Sequence, residues 1–224
     1  MDRRRFLLGA APVGLATLVP AGCARSPEME SHSYAPSYFR PPEWEFVLAA
    51  VARLIPSDGP GPGGIEAAVP EFIDRQMELP YGHGSWFYLA GPFHPDSPAT
   101  LGYQLRYTPR ELYRLGIADA NAAARTRHGM EFARLDAASQ NQFLEAMEKG
   151  QLEFATVPAA ALFGQLLENT REGYFSDPIH GGNRDMAAWR WIGFPGARAD
   201  FTDWLDQAGT EYPYGPVSIG STQT

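Results

Sequence analysis

Apolar residues recur at helical spacing along most of the chain, and no convincing run alternates at the spacing of a strand. From Glu43 onward, Phe46, Val47, Ala50, Val51, Leu54 and Ile55 return every three or four residues, which predicts a helix that Pro56 ends. A second helix is expected over 66–79, with Val69, Phe72, Ile73 and Met77 inward and Glu66 and Glu71 at its positive end. Thr108, Pro109 and Glu111 form a cap, a first helical position and an acidic first turn, so a long helix should run to about Arg127. Leu112, Leu115, Ile117, Ala118 and Ala122 supply its expected buried face. Two more helices follow at 137–149 (Phe143, Leu144, Met147) and 158–174 (Leu162, Phe163, Leu166, Leu167, Thr170). Met186, Trp189 and Ile192, spaced by three, predict a short sixth helix that Asn183 or Asp185 caps and that Gly193 and Pro195 stop. The pattern therefore predicts an all-α fold: a single helical domain of about six helices with long irregular, aromatic-rich loops.

The longest of these loops, 80–107, mixes Tyr81, Trp86, Phe87, Tyr88, Phe93, Tyr103 and Tyr107 with Gly and Pro. It is too long for an ordinary connector. His83 and His94 lie in it without neighbours at metal-ligand spacing, so both are expected to be solvated or packed. Gly59, Gly61 and Gly64 spell G-x-G-x-x-G, but a helix precedes them, and Pro60 and Pro62 offer no N–H to a phosphate. That stretch is read as a turn and not as a nucleotide site.

The N-terminus changes the picture of the domain boundaries. Arg3, Arg4 and Arg5 with Phe6-Leu7-Leu8 precede a short apolar stretch, which describes an export signal over residues 1–22 of the twin-arginine type, with an ordinary secretory leader as the alternative. Its core is too short for a permanent membrane span. Residues 23–42, rich in Pro and Ser, read as a linker, and 43–224 as the helical domain. Cys23 is the only cysteine; it excludes an internal disulfide and a Cys-x-x-Cys-His haem site. It follows Ala21-Gly22 and is a candidate lipidation site, although Pro20 is atypical for one. Net charge is −8, and loss of residues 1–22 removes three Arg and one Asp, giving −10; this excludes a nucleic-acid role resting on a basic surface. The expected location is periplasmic.

The densest mixture of turn formers, aromatics and charges runs from Gly173 to Gly196. Asp177-Pro178 favours a turn, and Gly181-Gly182 permits tight backbone. Asp177, His180 and Asp185 carry the residue types for acid–base work or for a metal, although Asp beside Pro is ordinarily a turn residue and Asp at a helix start ordinarily a cap. No G-x-S-x-G frames any serine. Residues expected at a partner interface are Tyr174, Phe175, Asp177, His180, Gly181, Gly182, Asn183, Arg184, Asp185, Trp189, Trp191 and Phe194.

Glu172-Gly173-Tyr174-Phe175-Ser176-Asp177-Pro178-Ile179-His180-Gly181-Gly182-Asn183-Arg184-Asp185, followed by Trp189 and Ile192-Gly193-Phe194-Pro195-Gly196, closely resembles the gluconate 2-dehydrogenase subunit 3 family. Leu54-Ile55-Pro56-Ser57-Asp58, the run from Gly61 to Ala67 and the paired arginines of the leader also fit, so the resemblance covers most of 43–196. It implies a non-catalytic small subunit with no cofactor of its own. FAD would be carried by a large subunit of the glucose–methanol–choline type, and haem by a separate multi-haem cytochrome c. The small subunit would bring the export signal for its folded partner. Membrane association would come through the complex or through a lipid on Cys23. The alternatives from the residues alone are a free-standing periplasmic enzyme using Asp177, His180 and Asp185, or a lipid-tethered binding protein.

Overall fold

Six helices form: α1 (Pro41–Leu54), α2 (Val69–Glu78), α3 (Pro109–His128), α4 (Ala137–Glu148), α5 (Ala159–Phe175) and α6 (Ala187–Ile192). They come from a computed structural model that describes residues 34–95 and 97–220; the leader, Cys23 and residues 24–33 of the expected linker lie outside the described residues. Among the described residues there is no sheet, only an isolated bridge between Gly196 and Val217. The all-α expectation holds. Residues from Tyr34 onward make one unit, with α5 at its centre against α2, α3, α4 and α6, while α1 covers α2, α3 and α4.

Local signals set several boundaries. The Thr108 hydroxyl accepts the Glu111 N–H at 3.3 Å and the Glu111 carboxylate accepts the Thr108 N–H at 2.8 Å, a reciprocal cap at the start of α3. Asp136 opens α4 by accepting the N–H groups of Ala138 and Ser139, each at 3.0 Å.

Four expectations change. α1 begins at Pro41, not Glu43, because its first turn needs no N–H and tolerates both prolines. α2 begins at Val69, not Glu66: Ala68 is left-handed (φ 58°), and Glu66 turns back to bond the Ser57 hydroxyl (2.6 Å) and the Gly63 N–H (2.5 Å). On α3, Ala118 and Ala122 face solvent and Leu115 is half-buried. Tyr113, Gly116, Ala120, Asn121 and Ala124 go inside with Leu112 and Ile117. Polar atoms allow this phase: the Tyr113 hydroxyl donates to Asn169 Oδ1 (3.1 Å), and Asn121 Oδ1 accepts the Phe132 N–H (3.3 Å).

The fourth change concerns residues 34–40, read as linker from their prolines. Tyr38 and Phe39 are buried. Asp74, fully buried on α2, accepts the N–H groups of Ser37 (2.7 Å), Tyr38 (3.0 Å) and Phe39 (3.0 Å), and the hydroxyls of Tyr34 and Ser37 (each 2.8 Å). A carboxylate filled by five donors ties this segment across α2.

Candidate functional site

The segment after α5 is held in a costly backbone shape. Asp177 Oδ1 accepts the Ile179 N–H (3.1 Å) and starts a 3-10 turn at Pro178–His180. Gly181 follows in the left-handed region (φ 101°). Gly182 then lies flat on α5, where a Cβ would sit 2.1 Å from the Gly173 carbonyl oxygen; only glycine fits. Asn183, Asp185 and Met186 are all left-handed (φ 43°, 56° and 55°). Such non-glycine residues cost roughly 1–3 kcal/mol each, so the surroundings must over-determine them.

They do. The Asn183 side chain is fully buried, donates to the Ser176 carbonyl (3.0 Å) and accepts the Ala188 N–H (2.9 Å). The Arg184 N–H donates to the Ala67 carbonyl (3.1 Å) and its guanidinium pairs with the buried Glu71 (2.9 Å). Ala67 precedes left-handed Ala68, so both strained turns meet where α2 begins. Trp189 donates its indole N–H to the Phe175 carbonyl (2.9 Å), closing the end of α5, and stacks edge-to-face on Phe194 at 5.1 Å.

The chain's end returns to the same place. Asp177 also accepts the Ser218 hydroxyl (2.6 Å) and the Ile219 N–H (2.8 Å). Burial pushes the Asp177 carboxyl up, but the bonds from Ser218, Ile219 and Ile179, with the nearby His180, outweigh it and hold it below the ordinary carboxylate value. A carboxyl lowered by folding stabilises fully above its unfolded pKa of about 3.9 and loses that contribution as pH falls through the depressed folded value. We expect the Ile219 amide to stay protected from exchange down to about pH 4 and to open below it. Asp177→Asn should abolish that acid step, and an unchanged step would contradict the clamp.

The interface candidates from the sequence separate into two groups. Tyr174, Asp177, Gly182, Asn183 and Trp189 are buried, and Gly181 and Arg184 are partly so; they build the loop. Phe175, His180, Asp185, Trp191 and Phe194 are exposed. The short helix presents a different face from the expected one: Ala188 and Trp189 go in, while Ile192 is 51% exposed, because the indole bond to Phe175 sets the rotation of six residues. Ile179, Ile192 and Ile219 were not among the candidates and join the exposed group. Ile179 touches Gly220, Ile219 follows the Ser218 clamp, and the Trp191 ring covers Gly61, so these apolar residues border one rigid structure. An isoleucine exposed in a fixed turn was the available signal at Ile179.

The His180 N–H donates to the Asp177 carbonyl (3.0 Å) within the turn, but among the described residues no side-chain hydrogen bond or ion pair joins Asp177, His180 and Asp185, and both Asp177 carboxylate oxygens are taken by other donors. Among the described residues no group of three His, Cys, Asp or Glu is arranged for a metal. The glycine stretch cannot cradle a phosphate: the Gly63 N–H goes to Glu66, the Gly64 N–H to the Ile55 carbonyl, and the Trp191 ring lies on Gly61. A cleft of about 580 Å³ elsewhere has Tyr38, His83, Arg110 and Arg114 in its wall. Arg114 is committed to Glu43 (3.0 Å), and Arg110 to His83 and the face of Tyr38. His83 is exposed and bonded to Arg110, and this wall is internally paired.

A family model described as gluconate 2-dehydrogenase subunit 3 matches residues 41–196. This chain belongs to the gluconate 2-dehydrogenase subunit 3 family. No curated protein and no solved structure matches it. The subunit 3 match starts at the first residue of α1 and stops at Gly196, so it takes in all six helices and the strained loop. Membership makes the chain a subunit of an oxidoreductase complex and implies association with a larger dehydrogenase subunit. Among the described residues no helix is long and apolar enough to cross a membrane.

Proposed function

We propose that this chain is the non-catalytic small subunit of a FAD-dependent dehydrogenase complex acting on CH–OH groups, of the gluconate 2-dehydrogenase type. It carries a twin-arginine export signal, supports assembly and translocation of the flavoprotein large subunit, and works in the periplasm. FAD belongs to that glucose–methanol–choline-type partner and haem to a cytochrome c subunit. One observation carries the reading: exposed Phe175, Ile179, Trp191, Ile192, Phe194 and Ile219 surround a backbone whose strain is held by buried bonds. A preformed apolar rim loses little freedom on docking. Catalysis by the chain itself finds no support in the saturated Asp177.

The test is co-purification. The tagged chain should bring down a flavoprotein with FAD absorbance. Ile192→Asp combined with Ile219→Asp, both at exposed positions, should cut the recovered flavoprotein about tenfold, a loss of about 1.4 kcal/mol from two charges set into an apolar contact, without moving the melting temperature. Turnover by the pure chain, or Cys23 acylation with no flavoprotein at all, would replace this reading with one of the alternatives. Arg4→Lys with Arg5→Lys should leave the complex in the cytoplasm.

A further inference from the structure

Where the family match ends, the chain makes a closed loop that the docking rim does not explain. The Ala197 N–H donates to the Val217 carbonyl (2.7 Å), and the Val217 N–H to the Pro195 carbonyl (3.2 Å). Gly196 allows this neck: it is left-handed (φ 78°), and a Cβ there would meet Val217 oxygen at 2.3 Å. Between these ends the loop has only a single 3-10 turn, Thr202–Trp204, yet it is organised around its own side chains. Tyr212 contacts Phe201 (5.8 Å), Trp204 (5.1 Å) and Tyr214 (5.5 Å). Arg198 lies over Tyr212 (5.1 Å) and Tyr214 (5.3 Å). A surface loop with pinned ends and an internal cluster is a pattern often used for function.

What the loop shows outward is unusual for a surface with nothing on it. Leu205 is 77% exposed and Tyr214 59%. Around them stand Asp200, Asp203, Asp206 and Glu211, all exposed, while the loop's one cation, Arg198, has its Nε buried beneath the tyrosines. No ion pair to a loop carboxylate occurs among the described residues. The loop is therefore a structured arm with net charge −3 and apolar tips. Its neck is continuous with the rim: Pro195 and Gly196 follow Phe194, and Val217 precedes Ser218 and Ile219, which Asp177 holds.

We propose that loop 197–217 is a second arm of the docking face, which selects the partner by seating on a cationic surface that flanks an apolar trough on the large subunit. The inference rests on the function proposed above. The occupant follows from charge and continuity: the proposed partner meets the rim beside the neck, and lysines or arginines on it would complement carboxylates that no cation of the loop pairs with. The arm lies beyond residues 41–196, which the family model matches.

The test compares the tagged full chain with the combined variant Asp203→Lys, Asp206→Lys, Glu211→Lys, and separately with Leu205→Ser. Asp200 is left in place because it accepts the Thr202 N–H (3.0 Å) and shapes the loop. The probe is the flavoprotein co-expressed and co-purified with each chain, washed at rising NaCl from about 0.05 to 1 M, over which screening shortens from more than 10 Å to roughly 3 Å. Wild type should lose flavoprotein progressively with salt. The charge-reversed chain should retain about tenfold less at low salt and show little further salt dependence, and Leu205→Ser should retain less at every salt, all with unchanged melting. Retention and salt dependence equal to wild type in the charge-reversed chain would overturn the arm while leaving the rim intact. Absence of any flavoprotein on wild type would overturn both proposals.

Discussion

Replacing Asp74 with Ala is expected to destabilise the domain by about 3–5 kcal/mol. The Tyr38 and Phe39 N–H groups are buried and have the carboxylate as their acceptor. Each buried donor left unpaired costs roughly 1–3 kcal/mol. The Ser37 N–H and the two hydroxyls are nearer to solvent and recover part of their loss in water. The segment would then pull away, and Tyr38 and Phe39 would leave the core they share with Tyr113 and Trp44. Urea unfolding should show a lower midpoint at unchanged slope, and the Tyr38 and Phe39 amides should exchange rapidly. Continued protection of those two amides in Asp74→Ala would contradict the account.

Trp189→Ala is the second large effect, at about 3–5 kcal/mol for loss of a buried indole. Trp189 is 5% exposed, packs on Phe194 and closes α5 through its N–H. In a domain of this size the melting temperature should fall on the order of 10 °C. Trp189→Phe separates the parts: it keeps a ring but leaves the Phe175 carbonyl without its donor, so about 1 kcal/mol should go. Because Trp189 also sets how Trp191 and Ile192 face outward, flavoprotein recovery should fall with Trp189→Ala even below its melting temperature. An unchanged melt and an unchanged complex yield would refute both roles.

Local chemistry was readable in the chain and distant chemistry was not. The α3 cap follows from three adjacent residues, Thr108, Pro109 and Glu111, and formed as expected. Of the expected buried face of α3, Leu112 and Ile117 go in, but Leu115, Ala118 and Ala122 do not, because an alanine run gives no phase. The phase is set by Asn169 and Phe132, which lie on other elements. Asp177 was legible as a turn residue, but its grip on Ser218 and Ile219 spans more than 40 residues. Asp74 carried no signal at all: an acidic residue beside a buried helix face looks solvated unless its donors are known, and those donors sit in a proline-rich stretch with few apolar residues. Glu71 was read as a dipole partner for α2; its buried pairing with Arg184 became visible only once the loop was folded. Helical periodicity says nothing about Ile179 and Ile219, which are fixed outside helices, and it puts Ile192 on the face of Trp189, from which the rotation of α6 turns it away.

The tie between Asp74 and residues 37–39 has a mechanical side. A pull applied at Tyr34 reaches α2 through that carboxylate and through Arg75, which lies over the Tyr34 ring (5.7 Å). The load is shared among five short bonds in parallel before it reaches α1. Traction applied at Tyr34 would therefore load that small patch first, and from α2 it would pass through Glu71 to Arg184 of the strained loop.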